Sequence, residues 1–540
     1  MTDTKAVPLA PTYPSPHAAQ FRAAGHWPQQ SIATLFARTA ATHASRLSLI
    51  DDVHRLTFGD LECHVQRAAT GFASLGLGRG DVIAYQLPNW WEAAVVFLAT
   101  LRIGATVNPL LPIFRQAELR FTLGQSGARA LVIPAVFRGC DHRELISTVR
   151  GALPALADVL VTRGEPPAGM HRFTTFLEAP PVPAAAPAAA VDPDSIALVM
   201  YTSGTTAEPK GVLHTHNTLA AEVLSLHRVH QLAPADRTLL PSPLTHISGV
   251  VHGILTPALL GTSAVLMERW DPVYAAQLIA REGVTYMVGA PTFLQDLVAQ
   301  PEEGDISSLR LFSCGGAGVS PALMHRARAR FPSCVAKRVY GSTEFPTLST
   351  TDAGDALTHG MDTEGRAIQP AEVRIADESG TALPCGAEGE VQGRGPECFV
   401  GYLDARLNVD AFTDDGWFRT GDLGVLDAAG YLRITGRLKE IIIRKGEKIS
   451  VKEVEDAITA HPAIAEVVVI PYPDPETGER TCAVVRLRPS RSIDLISLCS
   501  HLGAQGLAKQ KWPERLEVVT DFPRTDSGKI LRNKLKEQLT

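Results

Sequence analysis

Residues 196–211 read IALVMYTSGTTAEPKG, and the organisation of the chain turns on them. A short apolar run is followed by small hydroxyl and glycine residues and then a lysine. Leu219, Val223 and Leu226 beyond it fall at helical spacing. The order predicts a strand, a flexible loop and a helix. Backbone amides and the hydroxyls of Thr202, Ser203, Thr205 and Thr206 around Gly204 can wrap phosphate oxygens, and Lys210 adds a point charge. A solvated polar turn is the ordinary alternative for so short a cluster, but the flanking order favours phosphate handling. The loop is not a Walker A loop: Gly204 and Lys210 have its separation, yet Pro209 takes the second glycine position and Gly211 replaces the Mg²⁺-binding hydroxyl. A metal must therefore be held from elsewhere in the chain.

Outward from that stretch, the pattern is α/β. From Ile32 to about Val161, helical spacing (Leu61, Val65, Ala68, Phe72) alternates with short apolar runs such as DVIAYQL and ALVIP, as in a layered fold with parallel strands. The first 25 or so residues, rich in Pro and Ala, are expected to lie as an arm over the surface, and the Pro/Ala tract 179–193 reads as a surface join. A second α/β section spans about 195–345, with TYMVGAP and RLFSCGG as strand-then-glycine units. From about 350 to 436, glycine-punctuated runs predict a small antiparallel β unit. The last hundred residues form another α/β unit, in which Ser450 and Glu453 read as a capping box before VVVIP and CAVVRLR. The expected fold class is α/β: a large N-terminal domain of layered subdomains plus a β unit (1–437), and a small mobile α+β C-terminal domain (438–540).

Composition narrows the function classes. The 540 residues carry 51 Lys and Arg against 57 Asp and Glu, a formal net charge of −6, with 45% hydrophobic residues. That balance argues against a nucleic-acid or anionic-membrane binder and is ordinary for large packed cores. Eight scattered cysteines without a CxxC pair argue against a disulfide scaffold or zinc ribbon and suit a reducing compartment. The N-terminus lacks a secretory h-region, Arg102 interrupts the apolar run from Ala93, and Ile254–Met267 is short and contains Pro257. A cytoplasmic protein without a membrane span is expected.

Further motifs carry chemistry. In YGSTE, 340–344, Glu344 is a hard oxygen donor of the kind Mg²⁺ takes beside substrate phosphates, and Thr343 can donate to a phosphate; a helix start is the plain alternative. GGAG at 315–318 reads as a tight turn or a flat wall for an aromatic base. WFRTGD, 417–422, puts Asp422 in a loop after a turn, suited to accept two ribose hydroxyls, with Arg437 in reach; a hairpin with surface charges is the bland reading. Lys529, on the glycine turn of FPRTDSGK, can neutralise developing negative charge. His214-x-His216 and His227-x-x-His230 lack the paired acids or thiols of a metal site, so packing and loop hydrogen bonds explain them better. His246, in the loop PLTHISG, is placed where an aromatic gate could close a pocket.

The ordered set resembles the adenylate-forming superfamily of acyl-CoA synthetases, amino-acid adenylation domains and luciferases, over about residues 32–535. NPLLPIFRQAEL, YGSTEFPT and AKQKWPERLEVV look closest to cyclohexanecarboxylate-type and medium-chain acyl-CoA ligases. The resemblance implies an ATP- and Mg²⁺-dependent carboxylic acid:CoA ligase acting through acyl-AMP on a hydrophobic (medium-chain, alicyclic or polycyclic) acid. It implies an ATP/AMP site from Thr202–Thr206, Lys210, Gly315, Gly316, Ala317, Tyr340, Gly341, Ser342, Thr343, Asp422, Ile434, Arg437 and Lys529. Glu344 is implied as the metal ligand, His246 as the gate, Lys439 as the hinge, and Lys445, Gly446 and Glu447 for CoA. Ala207 and Asp526 depart from the family pattern without removing a catalytic group.

Other readings are weaker. An amino-acid substrate would need a carboxylate for its ammonium, and 239–254 holds no Asp or Glu; nor does a carrier domain follow before Thr540. A luciferase-like oxygenase shares the same motifs, and an enzyme that passes acyl-AMP to a partner is disfavoured by the hinge and the 445–447 loop. A non-catalytic nucleotide sensor would not need Lys210, Glu344, Asp422, Arg437 and Lys529 together. The sequence leaves a homo-oligomer open.

Overall fold

The computed structural model describes residues 9–178, 191–202, 209–300, 306–352, 354–355, 358–438, 440–444, 447–474, 478–524 and 530–539. Two large sheets form the N-terminal domain. The first has seven strands in the spatial order 210–215, 196–202, 106–109, 82–85, 130–134, 158–162 and 171–172. Its pairings are parallel except the hairpin of Ile196–Thr202 with Lys210–Thr215. The second has nine strands: 366–367, 349–350, 335–340, 311–315, 286–289, 237–240, 263–266, 47–50 and 55–57. Its six central strands are parallel and its edges antiparallel.

The predicted α/β alternation is present, with one difference in partition. Strands Leu47–Ile50 and Arg55–Thr57, early in the chain, join the second sheet rather than the first. Alternation tells strands from helices but carries no information on which sheet a strand enters. The helix Trp91–Arg102 is buried on all sides except at Arg102, as a helix apolar around its circumference must be. It belongs to one core with Phe58 and Phe72 of the helix Phe58–Ser74, Tyr85 of the first sheet and Tyr286 of the second.

The antiparallel β unit is a four-stranded meander, 372–376, 388–394, 418–426 and 432–437. The N-terminal arm is fastened to its neighbourhood: the amides of Thr12 and Tyr13 donate to Val400 O at 3.1 and 2.9 Å, and the Tyr13 ring stacks on Phe412 at 3.7 Å. The C-terminal domain is a five-stranded sheet, 441–519, with its own core of Ile442, Val454, Ile464, Val485 and Leu498. Only half of the expected capping box forms there. Ser450 accepts from the Glu453 amide at 3.3 Å, but the Glu453 carboxylate is drawn to Lys511 at 2.7 Å. The Ser450 hydroxyl also donates to Thr435 O at 2.7 Å, across the proposed domain junction. Among the described residues, no helix is long and apolar enough to cross a membrane.

Candidate active site

The phosphate-type loop joins two strands of a hairpin. Thr202 is paired with Lys210, and 203–208, which hold Ser203, Gly204, Thr205, Thr206 and Ala207, lie outside the described residues. The expected order of strand, loop and helix is thus corrected: Lys210–Thr215 is a strand, and the helix His216–His230 starts only after it. The reason is burial on both faces. Leu213 enters the core of the first sheet and Val212 that of the β unit, so this run needs a strand to send successive side chains to opposite sides.

At the loop end of the hairpin, Lys210 Nζ stands 4.9 Å from the centre of the Tyr402 ring, a cation–π contact. Tyr402 Oη donates to Glu344 Oε1 at 2.8 Å, and the Phe399 amide donates to Glu344 O at 2.8 Å. Glu344 is therefore held by side chain and backbone from one neighbouring segment. The turn that carries it does not begin a helix: the Ser342 amide donates to Phe345 O at 2.9 Å, closing it instead. A side-chain carbon at Gly341 would stand 2.2 Å from Pro346 O, so the tight course requires glycine.

Tyr340 connects this turn to the third motif. Its hydroxyl donates to Asp422 Oδ2 at 2.7 Å, while Arg437 Nε lies 2.9 Å from Asp422 Oδ1. Burial and the Asp422 charge push the Tyr340 phenol well above its ordinary value, so it stays a donor. Asp422 is not in a loop, as the sequence suggested, but within the strand Phe418–Leu426, directly opposite Arg437, with a bulge between the next two residues, Leu423 and Gly424. The hairpin reading and the ribose reading are thus compatible: the pair is cross-strand and also faces the YGSTE turn. Ile434 lies in the same strand as Arg437, its amide donating to Glu364 Oε2 at 2.9 Å.

Gly315 ends the strand next to Val335–Tyr340, in register with Val339, so Gly316 and Ala317 emerge beside Tyr340 and are exposed. His246 is half-buried and caps the short helix Ile247–Gly249, Nδ1 lying 3.3 Å from the Ser248 amide. A π-helical stretch, Val250–Leu255, follows; such segments are frequent at functional sites. Lys439, Lys445, Gly446 and Lys529 lie outside the described residues, and Glu447 opens a strand paired to Ile441–Arg444.

Two residues of the network were not singled out for it in the sequence. Tyr402, in an aromatic stretch without a chemical motif, links Lys210 to Glu344. His214, set aside as a metal ligand, is a buried positioning residue: its Nε2 lies 2.8 Å from Thr343 O and Nδ1 3.1 Å from Thr218 Oγ1. A carbonyl only accepts, so Nε2 carries the proton. His216 Nδ1 accepts from the Ile32 amide at 3.2 Å, and His227 Nδ1 lies 2.6 Å from Leu232 O. Among the described residues no cluster of three His, Cys, Asp or Glu side chains could hold a metal. The Glu344 carboxylate fits Mg²⁺ in the other way open to that ion, one carboxylate shared with substrate phosphates.

Burial lowers the His214 pKa to about 4, against an ordinary 6.5. The unfolded chain takes up a proton below pH ~6.5 that the folded imidazole refuses until about pH 4. Stability present above that window is therefore lost as pH falls through it, by at most ~1.4 kcal/mol per pH unit per histidine. His142 and His216, both lowered to about 4 by burial, act in the same direction. Calorimetric melting between about pH 7 and 5 should show a shallower decline for His214→Gln than for the unaltered protein. Identical slopes would refute a neutral His214 as a contributor.

The sequence pattern of the AMP-binding enzyme family matches residues 36–403, and that of the AMP-binding enzyme C-terminal domain matches 453–529. A medium-chain fatty-acid–CoA ligase of Escherichia coli (strain K12) is 34% identical over 98% of this chain and 94% of its own length. A sulfoacetate–CoA ligase of Cupriavidus necator is also 34% identical, over 94% of this chain and 97% of its own. The ATP-bound structure of MatB from Rhodopseudomonas palustris superposes with a TM-score of 0.84 at 28% identity, covering 94% of this chain and 98% of that one. An anthranilate CoA ligase, AuaEII, in complex with anthranoyl-AMP shares the fold, with a TM-score of 0.85 at 24% identity, over 94% and 97% of the two chains. With the matched patterns covering both its large and its small domain, the chain belongs to the AMP-binding enzyme family, the adenylate-forming ligases.

Proposed function

We propose that the protein joins a carboxylic acid to CoA through an acyl-AMP intermediate, using ATP and Mg²⁺. The convergence of Lys210, Glu344, Tyr340, Asp422 and Arg437 through Tyr402 and the cross-strand pair is the observation that supports this reading most directly. We assign the 202–210 loop to the ATP phosphates, Thr343 to the α-phosphate, the Asp422–Arg437 pair to ribose and Gly315–Ala317 to the adenine and acyl region. Lys529 serves adenylation, and Lys445–Glu447 the pantetheine arm of CoA. The chain divides at 437/438, with Lys439 as the hinge. The acid enters between 246–250, 290–293 and 340–348, with His246 as its gate. A cytoplasmic location suits the ATP and CoA the reaction consumes.

The chemistry follows from the leaving group. A carboxylate resists acyl transfer because it would have to expel oxide. When its oxygen attacks the α-phosphorus, a carboxyl O–P bond forms as the bond to pyrophosphate breaks, and the acyl carbon then bears AMP as a competent leaving group. Bound Mg²⁺ supplies charge neutralisation on the departing phosphate oxygens. Lys210 and the loop amides hold the phosphates in line, Tyr402 orients Glu344, and His214 fixes Thr343 through its carbonyl. In the second step sulfur attacks the acyl carbon, its proton passes to solvent, and AMP leaves with the bonding pair. A free thiol with pKa ~8.5 is already partly ionised at neutral pH, so this step requires no strong base.

With ATP, Mg²⁺, CoA and a panel of linear, alicyclic and aromatic acids, AMP and pyrophosphate should be released in equal amounts; without CoA, release should stop at about one equivalent of pyrophosphate per enzyme, with AMP retained as acyl-AMP. Formation of ADP and phosphate would refute the reading.

A further inference from the structure

The segment that orients Glu344 is itself held from the far end of the chain. Residues 399–403 carry Tyr402, whose hydroxyl donates to Glu344 Oε1 at 2.8 Å and whose ring faces Lys210 Nζ. The segment pairs with the strand Lys210–Thr215. The Val400 amide donates to Leu213 O at 2.9 Å, the Leu213 amide to Gly401 O at 3.1 Å and the Leu403 amide to Gly211 O at 2.7 Å. It is also held by the N-terminal arm, whose Thr12 and Tyr13 amides converge on Val400 O. Only a glycine at 401 leaves room for the arm. Its φ is +102°, and a side-chain carbon there would stand 2.2 Å from Thr12 Oγ1 and 2.8 Å from the Tyr13 nitrogen.

Thr12 reaches Tyr402 itself. Its hydroxyl donates to Tyr402 O at 2.6 Å and accepts from Asn408 Nδ2 at 3.1 Å, while Asn408 Oδ1 accepts from the Tyr402 amide at 2.9 Å. Both backbone polar groups of Tyr402 are thus closed into a ring through Thr12 and Asn408. The ring admits one polarity. A backbone N–H only donates, which turns the Asn408 oxygen toward it and the Asn408 nitrogen toward Thr12, and leaves the Thr12 proton for the carbonyl. Aromatic contacts run alongside: Tyr13 stacks on Phe412, Phe412 on Phe399 with ring centres 5.0 Å apart, and Phe399 meets Tyr402 edge-on at 4.9 Å. A ligating group must be held within about 0.5 Å of its productive place, and a tyrosine hydroxyl on a loose backbone does not achieve that. Thr12 and Asn408 both lie outside the stretch 36–403 that carries the family pattern, so this brace is a property of the present chain.

We propose that Thr12 and Asn408 are positioning residues for Glu344: they fix the backbone of Tyr402, and through its hydroxyl they hold the Glu344 carboxylate ready for the Mg²⁺ that accompanies ATP. Neither residue touches the reacting atoms. The inference rests on the ligase reading and extends it, because it makes the N-terminal arm part of the machinery that binds Mg²⁺ and ATP together.

The test is calorimetric binding of α,β-methylene-ATP, which cannot release pyrophosphate, to the full-length protein in Mg²⁺ and in EDTA. Thr12→Val keeps the shape of the side chain and removes its donor and acceptor. It should weaken binding roughly threefold to tenfold in Mg²⁺, the loss expected for about one hydrogen bond, and leave binding in EDTA unchanged. Thr12→Ser returns the hydroxyl and should restore the affinity, whereas Asn408→Ala should follow Thr12→Val. In pyrophosphate release, the Mg²⁺ concentration for half-maximal rate should rise by the same factor while the KM for the acid stays the same. Equal losses in both buffers would reduce the brace to general support of the fold and overturn the positioning role, as would no loss in Mg²⁺. Thr12→Ser as weak as Thr12→Val would overturn the part given to the hydroxyl. Failure of the unaltered protein to bind the analogue in either buffer would overturn the ligase reading itself, and this inference with it.

Discussion

Lys529→Ala should lower acyl-AMP formation by roughly two to three orders of magnitude, the usual effect of deleting one group aimed at developing charge. Thioester formation from supplied acyl-AMP should remain largely intact. The opposite pattern is expected of Gly446→Trp, whose indole would fill the passage proposed for the pantetheine arm without touching ATP. Lys529 and Gly446 belong to different segments of the C-terminal domain, both beyond the proposed hinge at Lys439. If the domain presents them in turn, each variant damages one half-reaction, and acyl-AMP accumulates in single turnovers of the Gly446 variant. Rapid-quench measurement of acyl-AMP and of thioester separates the steps. Equal damage to both steps by both variants would favour a single fixed arrangement of the domains.

Asp422→Ala should raise the KM for ATP by roughly tenfold or more, since unpaired buried donors cost about 1–3 kcal/mol. The carboxylate also holds Tyr340 Oη at 2.7 Å and Arg437 Nε at 2.9 Å, and its loss leaves Arg437, among the described residues, the more distant Glu440 at 3.8 Å. Asp422→Asn keeps an acceptor for one hydroxyl but surrenders the charge that steadies Arg437, so an intermediate KM is expected. Melting temperatures of both variants distinguish a binding defect from general loosening. An ATP dependence unchanged in both would place ribose elsewhere.

Much of the large-scale design is legible from local pattern. The helix Phe58–Ser74 follows from Leu61, Val65, Ala68 and Phe72, the parallel strands from short apolar runs, and the antiparallel unit from its glycine-punctuated strands. The residues proposed for phosphates, ribose and a hard cation could also be named from the sequence, because each of these groups demands particular side-chain types whatever the surrounding fold. The hairpin at 196–215 was missed because a following helical pattern hid a strand whose two faces enter different cores. Residues that act by position rather than by chemistry left no local mark: Tyr402 matters only because the chain returns beside both Lys210 and Glu344.

Glu222, His230 and Lys337 make the same point in reverse. On paper they are charges on a helix and a strand, ordinarily solvated, but the tertiary packing of that helix and of the second sheet, which contains Lys337, buries all three. The sequence by itself determined the family of reaction and suggested the types of group proposed for it, since those depend on residue identity and spacing within single segments. Only the tertiary structure decided that Asp422 faces Arg437 across a strand pair, that His214 anchors Thr343, and that strands 47–57 join the far sheet. Those facts arise from register and burial between segments distant in the chain, where the free energy belongs to the contact and not to either segment alone.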